Sequence, residues 1–169
     1  MVIVHGQAQG VDVAAGGVYA GGQGANLAPD PKKESAMSDK VVVITGASAG
    51  IGAALAEALG ARGDAVVLVA RREPELRAVA ARCGDRALVA VADVTRREDV
   101  RRVVREALER FGRVDVWVNN AGQGITRLPS LLTDEDLDEM LRVNVKSVLY
   151  GMQEILPHFR ERGSGQVVN

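Results

Sequence analysis

The 169-residue chain has one cysteine, Cys83, and two histidines, His5 and His158. A lone cysteine cannot close an internal disulfide, and two isolated histidines lack metal-ligand spacing, so both histidines are expected at the surface and no metal site is expected. Nowhere do about 18 apolar residues run consecutively, as a membrane-spanning helix requires. The N-terminus also lacks the basic flank and uninterrupted apolar run of a secretory leader. Charge of one sign is missing as well: 21 Lys and Arg face 22 Asp and Glu, a net charge of -1. Such a balance gives no field to hold nucleic acid or an anionic membrane. What is present, 47% hydrophobic and 25% charged residues, suits a soluble domain with a hydrophobic core. The expectation is a cytoplasmic protein whose partners are small molecules or other proteins. Cys83 falls in an apolar helical stripe and is expected to be a buried thiol rather than a reactive one.

The first 36 residues lack periodicity. They are rich in Gly, Ala and Gln, with Gly16-Gly17, Gly21-Gly22 and Gly24, and are expected to form a disordered extension that buries too little apolar surface to offset chain entropy. No strand precedes these glycines and no periodic helix follows them, so they do not read as a phosphate loop. At Met37 the character changes, and residues 37–169 read as one domain.

From Lys40 onward, Val-rich runs alternate with helical patterns. The runs are Val41 to Thr45, Ala65 to Ala70, Ala87 to Val91, Val114 to Val118 and Gln166 to Asn169. Short continuous apolar runs suit strands buried on both faces of a parallel sheet. Between the first two runs, Ile51, Ala54, Leu55, Ala58 and Leu59 predict a helix packed on the sheet by that stripe. Leu76, Val79, Ala80 and Cys83 predict a second helix. Val100, Val103, Val104, Ala107, Leu108 and Phe111 predict a third, started by a capping box of Thr95 with Glu98. After Thr133 a fourth pattern runs through Leu137, Leu141, Val145, Val148, Leu149, Met152, Leu156 and Phe159, with Pro157 expected to bend or end its last turn. This β-α order predicts an α/β fold, a Rossmann-type doubly wound parallel sheet truncated after the fifth strand.

The segment Thr45-Gly46-Ala47-Ser48-Ala49-Gly50-Ile51-Gly52 links the first strand to the first helix. There Gly46 permits a tight turn, Gly50 lets the backbone approach a pyrophosphate, and Gly52 allows close helix packing, with free N–H groups at the helix start facing the anion. The segment lacks the Gly-Lys-Ser/Thr ending of an ATP-hydrolysing loop. Strand, loop and helix together point to dinucleotide binding. The second strand ends in Ala70-Arg71-Arg72, where an NAD-specific protein usually places an acidic residue against the ribose 2′-hydroxyl. Nothing there repels a 2′-phosphate, and Arg71 or Arg72 can make a charge-assisted fork to it. NADP is therefore the expected cofactor over NAD, with Arg71 the stronger candidate; Ala49 supplies no second cation.

The spacing Thr-Gly-x-x-x-Gly-x-Gly, with Asn119-Asn120-Ala121-Gly122 after the fourth strand, resembles the short-chain dehydrogenase/reductase family across residues 37–169. The resemblance implies that Asp93, followed by Val94, meets the adenine amino group, and that Asn120, Ala121 and Gly122 serve the cofactor's centre and the sheet's switch point. For Asp93 taken alone, a turn or cap role is as good a reading. Asn144, inside Val143-Asn144-Val145, sits in an apolar stretch where an amide needs partners. The family carries an Asn on this helix that supports a proton relay, and Asn144 is the catalytic-site candidate.

The sequence departs from the family in one respect. Members continue past the fifth strand with a catalytic Ser and a Tyr-x-x-x-Lys, and neither is present here. Ser147 and Tyr150 do not stand in that motif, since Tyr150 has Glu154 four positions on. Two readings follow: an NADP-dependent oxidoreductase acting on an alcohol or carbonyl substrate, seen here as its cofactor-binding part, or a catalytically silent nucleotide-binding or interaction module. The resemblance also implies a homo-oligomer in the complete protein. The isolated chain is expected to associate through its wide fourth apolar stripe and through an unpaired fifth-strand edge.

Overall fold

The structure, a computed structural model, describes the backbone of Val2–His5 and residues 39–169. Its strands are β1 (Val2–His5), β2 (Val41–Thr45), β3 (Ala65–Ala70), β4 (Ala87–Val91), β5 (Val116–Val118) and β6 (Ser164–Val168). Its helices are α1 (Gly50–Ala61), α2 (Glu73–Cys83), α3 (Arg97–Phe111), α4 (Asp134–Leu141) and α5 (Ser147–Arg162), with a 3-10 turn at Pro129–Leu131. The sheet order is β1-β6-β5-β2-β3-β4. Strands β2 to β6 pair in parallel, so the chain winds outward from β2 in both directions, as the alternation of runs and stripes predicts.

Every residue of β2 is buried, as are the first five of β3, because helices cover both faces. On one face α1 and α2 pack Ala56, Leu76 and Val79 against Val42, Ile44 and Leu68. On the other, α3 and α5 pack Val103, Ala107, Ile155 and Phe159 against Val43, Val67 and Trp117. Cys83 is buried as expected, and burial pushes its thiol pKa up.

Several local expectations are corrected. The fully buried face of α1 is Gly52, Ala53 and Ala56; of the predicted stripe Leu55 and Leu59 pack against the margin of the core, whereas Ile51 is 81% exposed. Small residues let the helix approach the sheet closely at the glycine loop, and that requirement outweighs the larger apolar residues. The capping box at Thr95 and Glu98 does not form. Arg96 is the cap residue of α3, and Thr95 turns back to give its hydroxyl to Asp93 at 2.7 Å. A capping box forms instead at Thr133, with Asp136, and starts α4.

The fourth helical pattern is interrupted by one turn of π-helix at Arg142–Lys146. There the Ser147 N–H reaches back five residues to the Arg142 carbonyl, while the Ser147 hydroxyl donates to the Val143 carbonyl. The buried face beyond it is Val143, Ser147, Gly151, Ile155 and Phe159. Leu137, Leu141, Val145 and Leu149 stand exposed. Pro157 does not end α5, which continues to Arg162. Pro157 lies on the exposed side, and Ile155 and Phe159, both fully buried, pin the turns around it.

The first 36 residues are not wholly without structure. Val2–His5 pairs antiparallel with β6, so β6 is not the open edge anticipated for it. The rest of that stretch, including its glycines, lies outside the described residues, as does the side chain of His5. His158 is half-buried rather than at the surface, because its Nε2 accepts the Val114 N–H at 3.2 Å. Burial, followed by the Arg162 charge, holds its pKa below the ordinary value. Nearby, Asp115 accepts from the Val41 N–H at 2.8 Å and pairs with Arg113 and Arg162. Burial alone would raise the Asp115 pKa, but these donors bring it below the usual carboxylate range.

Candidate nucleotide-binding site

The two halves of the sheet diverge between β2 and β5, and at their carboxyl ends opens a cleft of about 410 Å³. Open α/β sheets bind ligands at such a divergence. Its floor is built on Thr45, a buried residue whose hydroxyl uses all its capacity. The hydroxyl donates to the Val118 carbonyl at 3.2 Å and accepts the N–H groups of Asn120 at 2.9 Å and Ala121 at 3.0 Å. The Asn120 amide donates in turn to the Thr45 carbonyl at 2.8 Å. The glycine loop and the loop after β5 are thereby locked together. The sequence reading passed over Thr45 as a site residue, although its place just before Gly46, at the end of a strand, was the available signal.

The three glycines have distinct geometric roles. Gly46 has φ +70°, and a Cβ there would lie 2.8 Å from the Ala121 Cα. Gly50 has φ +60°, and a Cβ there would meet nothing within 4 Å, so its backbone borders open space. Gly52 is packed: a Cβ would stand 2.6 Å from the Gly46 carbonyl oxygen and 2.5 Å from the Asn120 amide nitrogen. No side chain caps α1 and no acidic residue stands in its first turn. An anion at that helix start meets free N–H groups without a competing carboxylate.

Gly46, Ser48, Ala49 and Ile51 line one wall of the cleft; between them Gly50 is exposed, and Gly52 packs against Gly46 and Asn120. Arg71 and Arg72 form the rim at the end of β3, both exposed. Arg72 donates to the Ser48 hydroxyl at 3.1 Å and pairs with Glu75 at 3.3 Å. Asp93 and Val94 line the next wall, with Thr95. Asp93 receives both the N–H of Thr95 at 3.0 Å and its hydroxyl on one oxygen. Burial alone would raise the Asp93 pKa, but the Thr95 hydrogen bonds and the Arg71 and Arg142 charges lower it overall. Asn120, Ala121, Gly122 and Gln123 line the side toward β5, with Val143 beyond them.

Asn144 does not line the cleft. It is exposed on the π turn, and its amide bonds the backbone of Gln123 with both of its polar atoms, at 2.8 Å each. The need for partners anticipated for this amide is met at the surface by the neighbouring loop, not in the core. Among the described residues, no group of three or more His, Cys, Asp or Glu side chains is placed to hold a metal ion, and no helix is long and apolar enough to cross a membrane.

Comparison with known proteins agrees with this geometry. The sequence profile of the family described as short chain dehydrogenase matches residues 40–169. An uncharacterised oxidoreductase of Staphylococcus saprophyticus is 41% identical over 140 residues, covering 79% of this chain and 58% of that protein. A Listeria monocytogenes oxidoreductase, also uncharacterised, is 39% identical over 136 residues, covering 78% of this chain and 54% of its own length. Among solved structures, a 3-ketoacyl-(acyl-carrier-protein) reductase from Brucella melitensis complexed with NADH superposes with a TM-score of 0.72 at 38% identity, covering 75% of this chain and 53% of that one. An alcohol dehydrogenase from Thermococcus sibiricus complexed with 5-hydroxy-NADP gives 0.71 at 37% identity, covering 77% and 57%. The chain spans little more than half the length of these relatives, and over that span it belongs to the short-chain dehydrogenase family.

Proposed function

We propose that residues 37–169 form the nicotinamide-binding domain of an NADP-dependent oxidoreductase that acts on an alcohol or carbonyl substrate. The observation that carries this reading is the glycine loop at the sheet's divergence, with Gly50 bordering open space and two arginines on the rim. The residues present fit a dinucleotide: a Cβ at Gly50 would enter the open space beside the loop residues that line the cleft, and the first turn of α1 has no carboxylate to oppose an anion. A bound nicotinamide supplies the hydride acceptor or donor. The chain's own contribution is to hold and orient that cofactor.

In this reading Gly46, Ser48, Ala49 and Ile51 surround the pyrophosphate and its ribose. Arg71 and Arg72 take the 2′-phosphate, with Arg72 already oriented by Ser48 and Glu75. Asp93 and Val94 receive the adenine, and Asn120, Ala121 and Gly122 border the cofactor's centre. Asn144 is a positioning residue that acts through Gln123. The sequence has no Tyr-x-x-x-Lys to deliver the substrate proton, and positioned proton transfer typically contributes about 10²–10⁴-fold. Residues 1–169 alone therefore hold the cofactor without appreciable carbonyl reduction. The exposed Leu137, Leu141, Val145 and Leu149 support association of the complete protein through this helical face.

Titration with NADPH and NADH, read by reduced-nicotinamide fluorescence, tests the cofactor reading. A charge-assisted contact is worth about 1.5–3 kcal/mol, which is roughly 10- to 100-fold in affinity. NADPH should bind at least about tenfold more tightly than NADH, and the double variant Arg71→Ala, Arg72→Ala should erase the difference. Equal affinities in the unaltered chain would overturn the NADP preference.

A further inference from the structure

We propose, on the nicotinamide reading of the cleft, that Ser147 is a positioning residue for it: the Ser147 hydroxyl takes the Val143 carbonyl that the π turn deprives of a backbone donor, and so holds Val143 and Asn144 in the register that builds the cleft's lip. In a regular helix the Ser147 N–H would bond the Val143 carbonyl four residues back. Here that N–H goes to Arg142, five residues back, and the Ser147 hydroxyl donates to Val143 in its place. One side chain thereby stands in for its own backbone group. Val143 and Ser147 are both buried, so water is no ready substitute.

Back-bonding of this kind does not by itself open a helix. Cys83 makes the same contact, from Sγ to the Val79 carbonyl at 3.2 Å, inside α2, which is α-helical through Cys83. At Ser147 the difference lies in the contacts on either side of the turn. Beyond it, Gly151 fixes α5: a Cβ there would stand 2.6 Å from the Trp117 Nε1, so neither neighbouring residue can take its place. Before it, Asn144 is held by two bonds to the Gln123 backbone, and Val143 lines the cleft. A regular helix turns about 100° per residue. With α5 fixed, closing the turn would swing Val143 out of the cleft wall and carry the Asn144 amide away from Gln123. The extra residue in the turn lets both sets of contacts coexist, and the Ser147 hydroxyl offsets what the backbone loses.

Hydrogen exchange on the 169-residue chain tests this. In Ser147→Ala the Val143 carbonyl loses its donor and the turn closes, so the Gln123 amide should exchange about tenfold or more faster while β2 and β3 amides are unchanged. Ser147→Cys, whose thiol can make the weaker bond that Cys83 makes, should restore part of the protection. The double variant Ser147→Ala, Asn144→Ala separates this role from general packing. Because Ser147 acts through Asn144, Gln123 exchange should be no faster there than in Asn144→Ala alone. Unchanged Gln123 exchange in Ser147→Ala, acceleration spread evenly over β2 and β3, or additive effects in the double variant would overturn the proposal.

NADPH titration of the same variants gives the second readout. Ser147→Ala should weaken binding by roughly threefold or more. Absence of NADPH binding in the unaltered chain would sink the cofactor reading, while the exchange data still decide what Ser147 does. Binding in the unaltered chain with equal affinity in Ser147→Ala would overturn the assignment of Ser147 to the cleft.

Discussion

Asn144 clasps Gln123 by both backbone groups: its Oδ1 accepts the Gln123 N–H and its Nδ2 donates to the Gln123 carbonyl, each at 2.8 Å. The clasp ties the π turn between α4 and α5 to the loop that leaves β5 beside Gly122, so the helix fixes one lip of the cleft. Asn144→Ala removes two hydrogen bonds at an exposed site and should cost about 1 kcal/mol. The more specific readout is local: hydrogen exchange at Gln123 should accelerate strongly while exchange in β2 and β3 changes little. Asn144→Asp keeps the acceptor for the Gln123 N–H and should restore part of the protection. An unchanged Gln123 amide in Asn144→Ala would remove the clasp from the account.

Thr45→Val keeps the shape of a buried residue and deletes its hydroxyl. The N–H groups of Asn120 and Ala121 then lose their acceptor, and a buried polar group left without a partner costs about 1–3 kcal/mol. Denaturant unfolding should show a loss of that size, with NADPH affinity falling too, because the same bonds set the loop after β5 against the glycine loop. Thr45→Ser should restore both.

Gly165 and Gly151 mark where α5 sits tightest on the sheet. A Cβ at Gly165 would clash with the Phe159 ring, and one at Gly151 would lie 2.5 Å from the Asn119 Oδ1 and 2.6 Å from the Trp117 Nε1. Overpacking of this kind typically costs about 1–3 kcal/mol. Gly165→Ala should lower the thermal midpoint, and the double change Gly165→Ala, Phe159→Leu should cost less than the sum of its parts, because the two sites are in contact.

His158 gives stability a dependence on mild acid. Its folded pKa is depressed by burial and by Arg162, below the ordinary 6.5. As pH falls, the unfolded chain takes up this proton first, so the stabilisation is complete above about 6.5 and is lost as pH drops through that value toward the folded pKa. Protonated Nε2 also cannot accept the Val114 N–H. Denaturation midpoints of the unaltered protein should fall from pH 7.5 to 5.5 by more than those of His158→Gln. The lowered carboxylates Asp93, Asp115 and Glu154 are common to both proteins and titrate at lower pH. Parallel curves for the two would contradict the assignment.

The parts of the fold legible in the sequence were those set by unbroken apolar runs. Val41–Thr45, Ala65–Ala70 and Ala87–Val91 are strands with the expected limits; the first two are buried on both faces and have no polar alternation to blur them, and the third, only partly buried at the sheet edge, is still an unbroken apolar run. The face of α1 was legible only in part: Leu55 and Leu59 pack against the core as the stripe predicts, but the fully buried residues, Gly52, Ala53 and Ala56, are set by close backbone approach rather than by hydrophobicity. The cap of α3 was lost because Asp93, two residues before Thr95, offers the hydroxyl a stronger acceptor than a helix start offers a cap. The π turn leaves no periodic trace, as one extra residue per turn only shifts the stripe. Strand β1 could not be read either: Val2–His5 is a four-residue run far from the domain in sequence, and its strand character lies in its pairing with β6. Of the candidate site, the glycine loop was legible from its spacing between strand and helix, and Asn120–Gly122 from the resemblance to the family; Gly46 and Asn120–Gly122 line the cleft. The fixing role of Thr45 depends on three backbone groups brought together from β5 and its following loop.

The most direct test of cofactor binding is a titration of the chain with NADPH, alongside Gly50→Val. A Cβ at Gly50 meets no protein atom within 4 Å, so the variant carries only the strain of φ +60°, of order 1–2 kcal/mol. Circular dichroism should show its fold retained, while the new side chain fills the space assigned to the pyrophosphate. The account predicts saturable binding of one NADPH per chain in the unaltered protein, and at least a hundredfold weakening in the variant, about 2.7 kcal/mol. No saturable binding in the unaltered chain, or equal binding in a folded Gly50→Val, would contradict it.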